Sequence, residues 1–386
     1  METITSNLYD ESIRMLWASQ LVYSFAALLK EGRDGKLDLG DSFPAEVLDN
    51  YKKNRLDVRG LEDEHGLSFN KVVQIVKANV ENLKKIMDSD WEYIAQIIEK
   101  LQSAEDADKS SNSLFLETFN SINAVEECVY GVVKDTNNKR VTVVFRGSTS
   151  GTRDWETNFS AQMEAMKTPK LLRDKLEDSL KERILVHRGF YEYLFNNEKA
   201  KGDQAFDTIL GDIKPFVKDG YKIYTTGHSL GAALSSLLAF KLAGSGKKWI
   251  PKPITCISYA SPFVGSDGFR TAFTELEKMG LIRYLRVNND SDFVPTIPPV
   301  SIGWPIEFMK HVGINLRLEG NSFALSHPNT NGYGVVNALN NSMFKPVWKV
   351  LHYHGIPTHQ KRMDKHKEAL QQMSIENLYA DKNLFG

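Results

Sequence analysis

Apolar residues recur at helical spacing through the first part of the chain and give way to strand-like runs further on. One such set comprises Val72, Ile75, Val76, Val80, Leu83 and Ile86, and a second comprises Ile94, Ile97, Ile98 and Leu101. The apolar stretch 15–29 is too short to span a bilayer, and it follows acidic residues, unlike a signal peptide. We therefore expect it to form an amphipathic helix that packs on the folded core.

A different pattern begins after residues 103–113, a mostly polar stretch that predicts a connector. Runs of β-branched and aromatic residues predict strands at 127–133, 140–145, 223–226, 254–259 and 281–287. The first two should pair around Asn137-Asn138, and helical stretches separate the later ones. Such alternation is typical of a mostly parallel sheet with helices on its faces.

The change of pattern divides the chain into two regions. Residues 1–114 are predicted to be a mostly helical N-terminal extension, of which 1–30 pack on the core, and residues 115–386 form the α/β region. The pattern weakens from Gly303, and a last helix is predicted over 357–373.

Composition narrows the classes of partner. The chain has 386 residues, of which 41% are hydrophobic, so it can bury a large core. Its 48 basic and 49 acidic residues leave no basic excess of the kind that binds nucleic acid or an anionic membrane surface. Cys128 and Cys256 are its only cysteines, which indicates no disulfide framework and favours a reducing, intracellular location, namely the cytoplasm.

The pentapeptide Gly227-His228-Ser229-Leu230-Gly231 carries the strongest chemical signal. Its glycine–x–serine–x–glycine spacing is that of a turn between a strand and a helix, with a serine hydroxyl exposed at the bend. Residues 221–226 before it alternate like a strand, and residues 232–243 after it are rich in helix formers. The pattern therefore predicts Ser229 as a nucleophile.

A serine nucleophile needs a base, usually histidine, and a carboxylate that orients that base. Two carboxylates, Asp290 and Asp292, follow the predicted strand 281–287. The base would come from the nine histidines of the chain. These residue types alone leave both choices open.

Five further segments resemble the class 3, or fungal-type, lipases. They are Phe145-Arg146-Gly147-Ser148, His187-Arg188-Gly189-Phe190, residues 258–265, residues 289–299 and residues 354–363. The resemblance covers about residues 115 to 370 and implies an α/β-hydrolase fold. The chain departs from the family at Phe263, where arginine is frequent, and at His359, where tyrosine is expected.

The resemblance implies a role for each candidate. Asp292 becomes the acid because it directly precedes Phe293-Val294-Pro295, and Asp290 becomes a turn residue. His354 becomes the base, with His352 and His327 as the next candidates. Ser229, Asp292 and His354 then follow the order of serine, acid and histidine that this fold uses.

The family also implies an oxyanion hole and a lid. The backbone N–H of Leu230 and the N–H or hydroxyl of Ser148 would stabilise the oxyanion. Trp155 and Phe159 lie on one predicted helical face with Met163 and Met166, as in a lid, although an ordinary packed helix has the same pattern. No metal or cofactor is implied.

The expected function is hydrolysis of carboxylic esters of lipids through an acyl-enzyme intermediate. The expected partner is a lipid ester, at a lipid–water interface that the protein binds peripherally, with no transmembrane segment and no nucleic acid. Two alternatives remain. One is a non-catalytic signalling scaffold like some plant lipase-like proteins, and the other is an esterase for small soluble esters.

Overall fold

The computed structural model describes part of the chain, and that part forms two compact units. The described residues are 6–33, 55–57, 67–68, 74, 78, 114–122, 128–148, 162–181, 183–195, 205–301, 306–328 and 353–385. The first unit, called the elbow unit here, comprises Met1–Leu16, Gly147–Asn196 and Ile223–Gly386. The second, the hairpin unit, comprises Trp17–Arg146 and Asn197–Lys222.

The described helices and strands are as follows. The strands are β1 (Arg55–Asp57), β2 (Leu67–Ser68), β3 (Leu114–Ile122), β4 (Cys128–Asp135), β5 (Arg140–Phe145), β6 (Met163–Ala165), β7 (Leu185–His187), β8 (Lys222–His228), β9 (Ile254–Tyr259), β10 (Ile282–Asn289), β11 (Ile314–Leu318) and β12 (Phe323–Ser326). The helices are α1 (Leu8–Arg33), α2 (Asp178–Lys181), α3 (Arg188–Phe195), α4 (Ala205–Lys218), α5 (Leu230–Gly244), α6 (Asp267–Lys278), α7 (Ile356–Lys365), α8 (Lys367–Gln371), α9 (Ile375–Ala380) and α10 (Lys382–Phe385).

The hairpin unit is built on an antiparallel sheet. Strand β4 pairs with β3 on one side and with β5 on the other, around the turn that holds Asn137-Asn138, so the predicted hairpin is confirmed. Every residue of β5 is buried, because its apolar side chains are covered on both faces. Helix α4 contributes Asp212, whose carboxylate accepts a hydrogen bond from Tyr130 Oη at 2.9 Å.

The described part of the N-terminal region contains two short strands as well as helix α1. Strands β1 and β2 lie within it, and both pair antiparallel with β3. Such short strands have no local pattern of their own, because partners far along the chain supply their hydrogen bonds. Gln74, inside the first predicted helix, is helical, and the second predicted helix lies outside the described residues.

The elbow unit contains the parallel part of the fold. Strands β8, β9, β10 and β11 run parallel to their neighbours in that order, and β12 closes the edge antiparallel to β11. Helix α5 follows β8 and is buried along nearly all of its length, whereas the amphipathic helix α6 follows β9. This is the α/β-hydrolase arrangement, in which a parallel sheet presents the carboxyl ends of its strands to the site.

The first turns of α1 pack within the elbow unit. Leu8 and Leu16 are fully buried, and the N–H of Leu8 donates to the carbonyl of Met373 at 2.8 Å. Tyr9 Oη donates to Asp364 at 2.6 Å, and Glu11 accepts from Tyr224 Oη at 3.2 Å. Apolar burial and polar contacts therefore both hold the start of the chain in this unit.

We propose that the extension is residues 1–114 and that only its first helix is needed for solubility. Removing residues 1–109 should give insoluble protein, since it exposes the apolar surface that α1 covers. Removing only 45–105 should leave soluble protein, because the described strands lost with it, β1 and β2, are short. Soluble yield and thermal melting measure both outcomes, and protease should cut between 103 and 113. Equal insolubility of the two deletions would show that the boundary is misplaced.

Candidate active site

Ser229 lies on a tight turn between β8 and α5. Its backbone has φ 59° and ψ −125°, in the region that residues with a side chain rarely adopt, and its N–H donates to the carbonyl of Tyr259 at 2.9 Å. A Cβ on Gly227 would lie 2.3 Å from the carbonyl oxygen of Gly231. The glycine is therefore required by the close approach of strand and helix, as the motif predicts.

The turn places Ser229 next to the start of α5, where backbone N–H groups have no hydrogen-bond partner within the helix. Leu230 is the first residue of α5, and the first N–H groups of an α-helix have no partner within the helix. The positive end of the helix dipole lies at the same place. Among the described residues, the Ser229 hydroxyl has no hydrogen-bond partner. Ser148, also in the elbow unit, is half-buried.

Asp292 and His354 form a buried pair. His354 Nδ1 lies 3.2 Å from both carboxylate oxygens of Asp292, whose side chain is fully buried. The N–H of Val294 donates to Asp292 Oδ1 at 3.0 Å, which fixes the carboxylate. Because a carboxylate only accepts hydrogen bonds, His354 Nδ1 carries the proton. In the neutral ring, Nε2 is then the nitrogen that can accept a proton.

Asp290 is engaged elsewhere. Its carboxylate pairs with Arg362 Nη1 at 2.5 Å and is 42% exposed. The same guanidinium donates to the carbonyl of Leu318 at 2.6 Å and lies over the ring of Tyr353. The geometry thus joins Asp292, and not Asp290, to a histidine ring, and Asp290 helps to anchor the segment that carries His354.

The other candidate histidines have different partners. His327 Nε2 lies 3.0 Å from Glu277 Oε2, and Glu277 also accepts from Tyr379 Oη at 2.7 Å, so His327 belongs to a separate buried cluster. His359 is buried with Nδ1 3.0 Å from Asn289 Nδ2, and burial lowers its pKa to about 4. His352 lies outside the described residues.

Two residues that no sequence pattern marked as functional also touch the turn around His354. His228 Nε2 lies 2.8 Å from the carbonyl oxygen of His354, and Asn289 Nδ2 donates to the carbonyl of Tyr353 at 2.8 Å. These contacts join residues that are distant in the chain, so periodicity and spacing carried no signal for them.

The lid prediction falls mostly outside the described residues. Trp155 and Phe159 lie in 149–161, which the structure does not describe. Met163, placed by sequence on the same helical face, is instead in β6, where it pairs with His187 of β7. The helical face therefore does not continue through Met163, because strand pairing with β7 overrides the local periodicity there.

Two negative findings concern the described residues alone. None of their helices is long and apolar enough to cross a membrane. None of their His, Cys, Asp and Glu side chains form a group of three or more suited to a metal ion.

Comparison with known proteins gives a family and relatives. Residues 142–302 match the model of the family described as lipase (class 3). The chain is 33% identical over 174 residues to phospholipase A1-II 6 of Oryza sativa subsp. japonica, which is 41% of this chain and 40% of that protein. It is 26% identical over 211 residues to the chloroplastic galactolipase DONGLE of Arabidopsis thaliana, covering 48% and 42% of the two chains.

Among solved structures, the triacylglyceride lipase of Rhizomucor miehei is similar. The match has 22% identity and a TM-score of 0.47 and covers 64% of this chain and 82% of that one. The chain spans about 40% of the length of the curated relatives named above. The family match includes Ser148, Ser229 and Asp292 but ends before His354, whose place in the site rests on its contact with Asp292. Residues 142–302 of this chain are therefore similar to the class 3 lipases, as its motifs predicted.

Proposed function

We propose that this protein hydrolyses carboxylic esters of lipids through an acyl-enzyme intermediate. The observation that carries the proposal is the buried contact of His354 Nδ1 with both oxygens of Asp292, in the same unit as a serine held on a strained turn. The class 3 lipase match and relatives named as phospholipase A1 and galactolipase give further support.

The proposed reaction has two halves. Ser229 Oγ attacks the ester carbonyl carbon while His354 Nε2 takes its proton, and Asp292 stabilises the resulting imidazolium. The C–O bond then breaks, and the alcohol leaves with the proton from His354. Water attacks the acyl-enzyme by the same route and releases the carboxylic acid, which restores Ser229.

The oxyanion formed in each half needs donors in place before the reaction. The N–H of Leu230 is proposed as one, because it lies at the start of α5 beside the nucleophile. Ser148 is proposed as the second, through its N–H or its hydroxyl. Such a donor accelerates the reaction by stabilising the developing charge more than the ground-state carbonyl.

The first experiment is labelling with a serine-directed alkyl phosphonate, followed by a panel of lipid esters. Labelling at Ser229 and release of fatty acid from a glycerolipid are expected. Labelling with turnover of only short soluble esters would favour a small-ester esterase. No labelling and no turnover of any ester would favour a non-catalytic scaffold and contradict the proposal.

The two neighbouring aspartates provide a matched test of the acid. Asp292→Asn should lower kcat on the order of 10²-fold or more, because the amide no longer holds Nδ1–H toward a negative charge. Asp290→Asn should keep most of the turnover and lower the melting temperature, since it weakens the pair with Arg362. Steady-state kinetics and thermal melting of both variants are the measurements. A larger loss of kcat in Asp290→Asn would assign the acid to Asp290.

The substrate class is proposed from the relatives. Phospholipase A1 and galactolipase are names of enzymes that act on glycerolipids, so we propose an acyl ester of a glycerolipid. A reducing, intracellular location is also proposed, because Cys128 and Cys256 are the only cysteines of the chain and indicate no disulfide framework. The relative DONGLE is chloroplastic, so the proposal is not restricted to the cytoplasm.

The lid remains a prediction from the sequence. Replacing both Trp155 and Phe159 by alanine should reduce hydrolysis of a lipid dispersion more than hydrolysis of a soluble acetate ester. Each large ring buried at an interface contributes roughly 1.5–3 kcal/mol, which a soluble substrate does not require. Rates on both substrates, measured with one enzyme preparation, give the comparison. Equal losses would indicate a packed structural helix.

A further inference from the structure

The loop that carries His354 is held by side chains from two parallel strands. Asn289, the last residue of β10, donates through Nδ2 to the carbonyl of Tyr353 at 2.8 Å. His228, the last residue of β8, contacts the carbonyl of His354 itself at 2.8 Å. The backbone is therefore held on the amino side of His354 and at its own carbonyl, while Asp292 holds the ring.

The protonation of His228 follows from its partner. A carbonyl oxygen only accepts, so Nε2 must carry the proton and Nδ1 must be bare if the ring is neutral. Burial lowers the pKa of His228 well below its ordinary value, and the neighbouring His354 and His359 lower it further. The ring also lies 4.5 Å from that of His354, between centroids. His228 is thus a neutral donor packed against the ring whose backbone it holds.

His359 sets the direction of the Asn289 amide. Its Nδ1 lies 3.0 Å from Asn289 Nδ2 and 3.2 Å from the carbonyl of Gly355. That carbonyl already accepts the backbone N–H groups of Thr358 and His359 as α7 begins, so Nδ1 accepts from Asn289 instead. Both protons of the amide are then used, one on Tyr353 and one on His359.

We propose that His228 and Asn289 are positioning residues for His354, with His359 aiming the amide of Asn289. The unprotonated Nδ1 of His359 accepts from Asn289 Nδ2 at 3.0 Å, which fixes the direction of that amide. The inference rests on the proposed function, because positioning matters only if His354 Nε2 has to meet the proton of Ser229. A displacement of a catalytic group by about 1 Å can reduce turnover on the order of 10²-fold.

The variants follow from the atoms involved. Asn289→Asp keeps the shape of the side chain and removes both of its N–H donors. Asn288→Asp, one residue earlier on β10, is the control, because Asn288 bonds to Asn315 instead. At position 228, glutamine places a donor near Nε2 and asparagine places one near Nδ1. His228→Gln should therefore retain the contact with the His354 carbonyl, and His228→Asn should lose it.

Kinetics provide the first measurement. We expect Asn289→Asp and His228→Asn to lower kcat on the order of 10²-fold with little change in KM, and His228→Gln and Asn288→Asp to keep most of the wild-type kcat. Melting curves confirm that each variant is folded at the assay temperature. The inference would be overturned if Asn289→Asp turned over as fast as Asn288→Asp, and His228→Asn as fast as His228→Gln. If Ser229→Ala lost all activity while Asn289→Asp and His228→Asn kept it, the inference would fail and the proposed function would still hold.

A second readout does not depend on activity. In protein labelled with ¹³C-histidine, the imidazole signal of His354, identified by its loss in His354→Ala, should shift or broaden in Asn289→Asp. It should stay at the wild-type position in Asn288→Asp, and both variants keep the ring of His228, which lies 4.5 Å from that of His354. An unchanged signal in Asn289→Asp would overturn the inference even if no ester were hydrolysed.

Discussion

Replacing Ser229 by alanine is expected to abolish ester hydrolysis and leave the fold intact. The hydroxyl has no hydrogen-bond partner among the described residues, so its removal breaks no structural contact there. Alanine also keeps a Cβ at the same backbone angles, so the turn is strained to the same degree. Because nucleophile and base act as a unit, kcat should fall on the order of 10³-fold or more.

Ser236→Ala is the matched control for that experiment. Ser236 is buried in α5, and its hydroxyl donates to the carbonyl of Ala233 at 2.8 Å, within the same helix. Hydrolysis of one lipid ester and one soluble ester, with phosphonate labelling and thermal melting, should separate the two variants. A Ser229→Ala protein that kept a substantial part of the turnover, with labelling at another residue, would refute the mechanism.

Replacing His354 by alanine is expected to be nearly as damaging as replacing Ser229. Without Nε2, no group remains to take the proton of the serine, and the hydroxyl is a weak nucleophile near neutral pH. The melting temperature should also fall, because the fully buried carboxylate of Asp292 loses its histidine partner. Turnover per folded molecule is the quantity to compare.

His327 provides the control, and the choice of replacement matters. His327→Ala would remove the side chain that lies 3.0 Å from the buried Glu277 Oε2, so it should lower stability as well as test activity. His327→Gln keeps a donor toward Glu277 and should retain both fold and activity. If kcat fell further in His327→Gln than in His354→Ala, the base would be His327. The contact of His354 with Asp292 would then have only a structural role.

The predictable parts of this protein are those that local chemistry dictates. The strands β4, β5, β8, β9 and β10 have runs of β-branched and aromatic residues bounded by polar turns, and all of them were predicted. The turn at Ser229 was predicted because two glycines at fixed spacing leave few other conformations. The choice of Asp292 needed a family pattern, because two carboxylates two residues apart after a strand are locally equivalent.

What sequence could not predict depends on distant partners. Strands β1 and β2 exist because β3 offers them hydrogen bonds, and their own residues carry no alternation long enough to detect. His228 and Asn289 reach carbonyl groups of a loop far along the chain, and only the folded sheet places the ends of β8 and β10 beside that loop. Met163 was misplaced for the same reason, since β7 draws it into a strand.

The backbone of Ser229 bears on the choice between an enzyme and a scaffold. A residue with a side chain held at φ 59° and ψ −125° costs on the order of 1–3 kcal/mol, which glycine would avoid at the same turn. The glycine at 227 is required by packing against Gly231 whether or not the protein is catalytic. Gly227 is therefore evidence for the turn and does not distinguish an enzyme from a scaffold. A serine at this conformational disadvantage favours an enzyme over a scaffold, because no hydrogen bond among the described residues uses its hydroxyl.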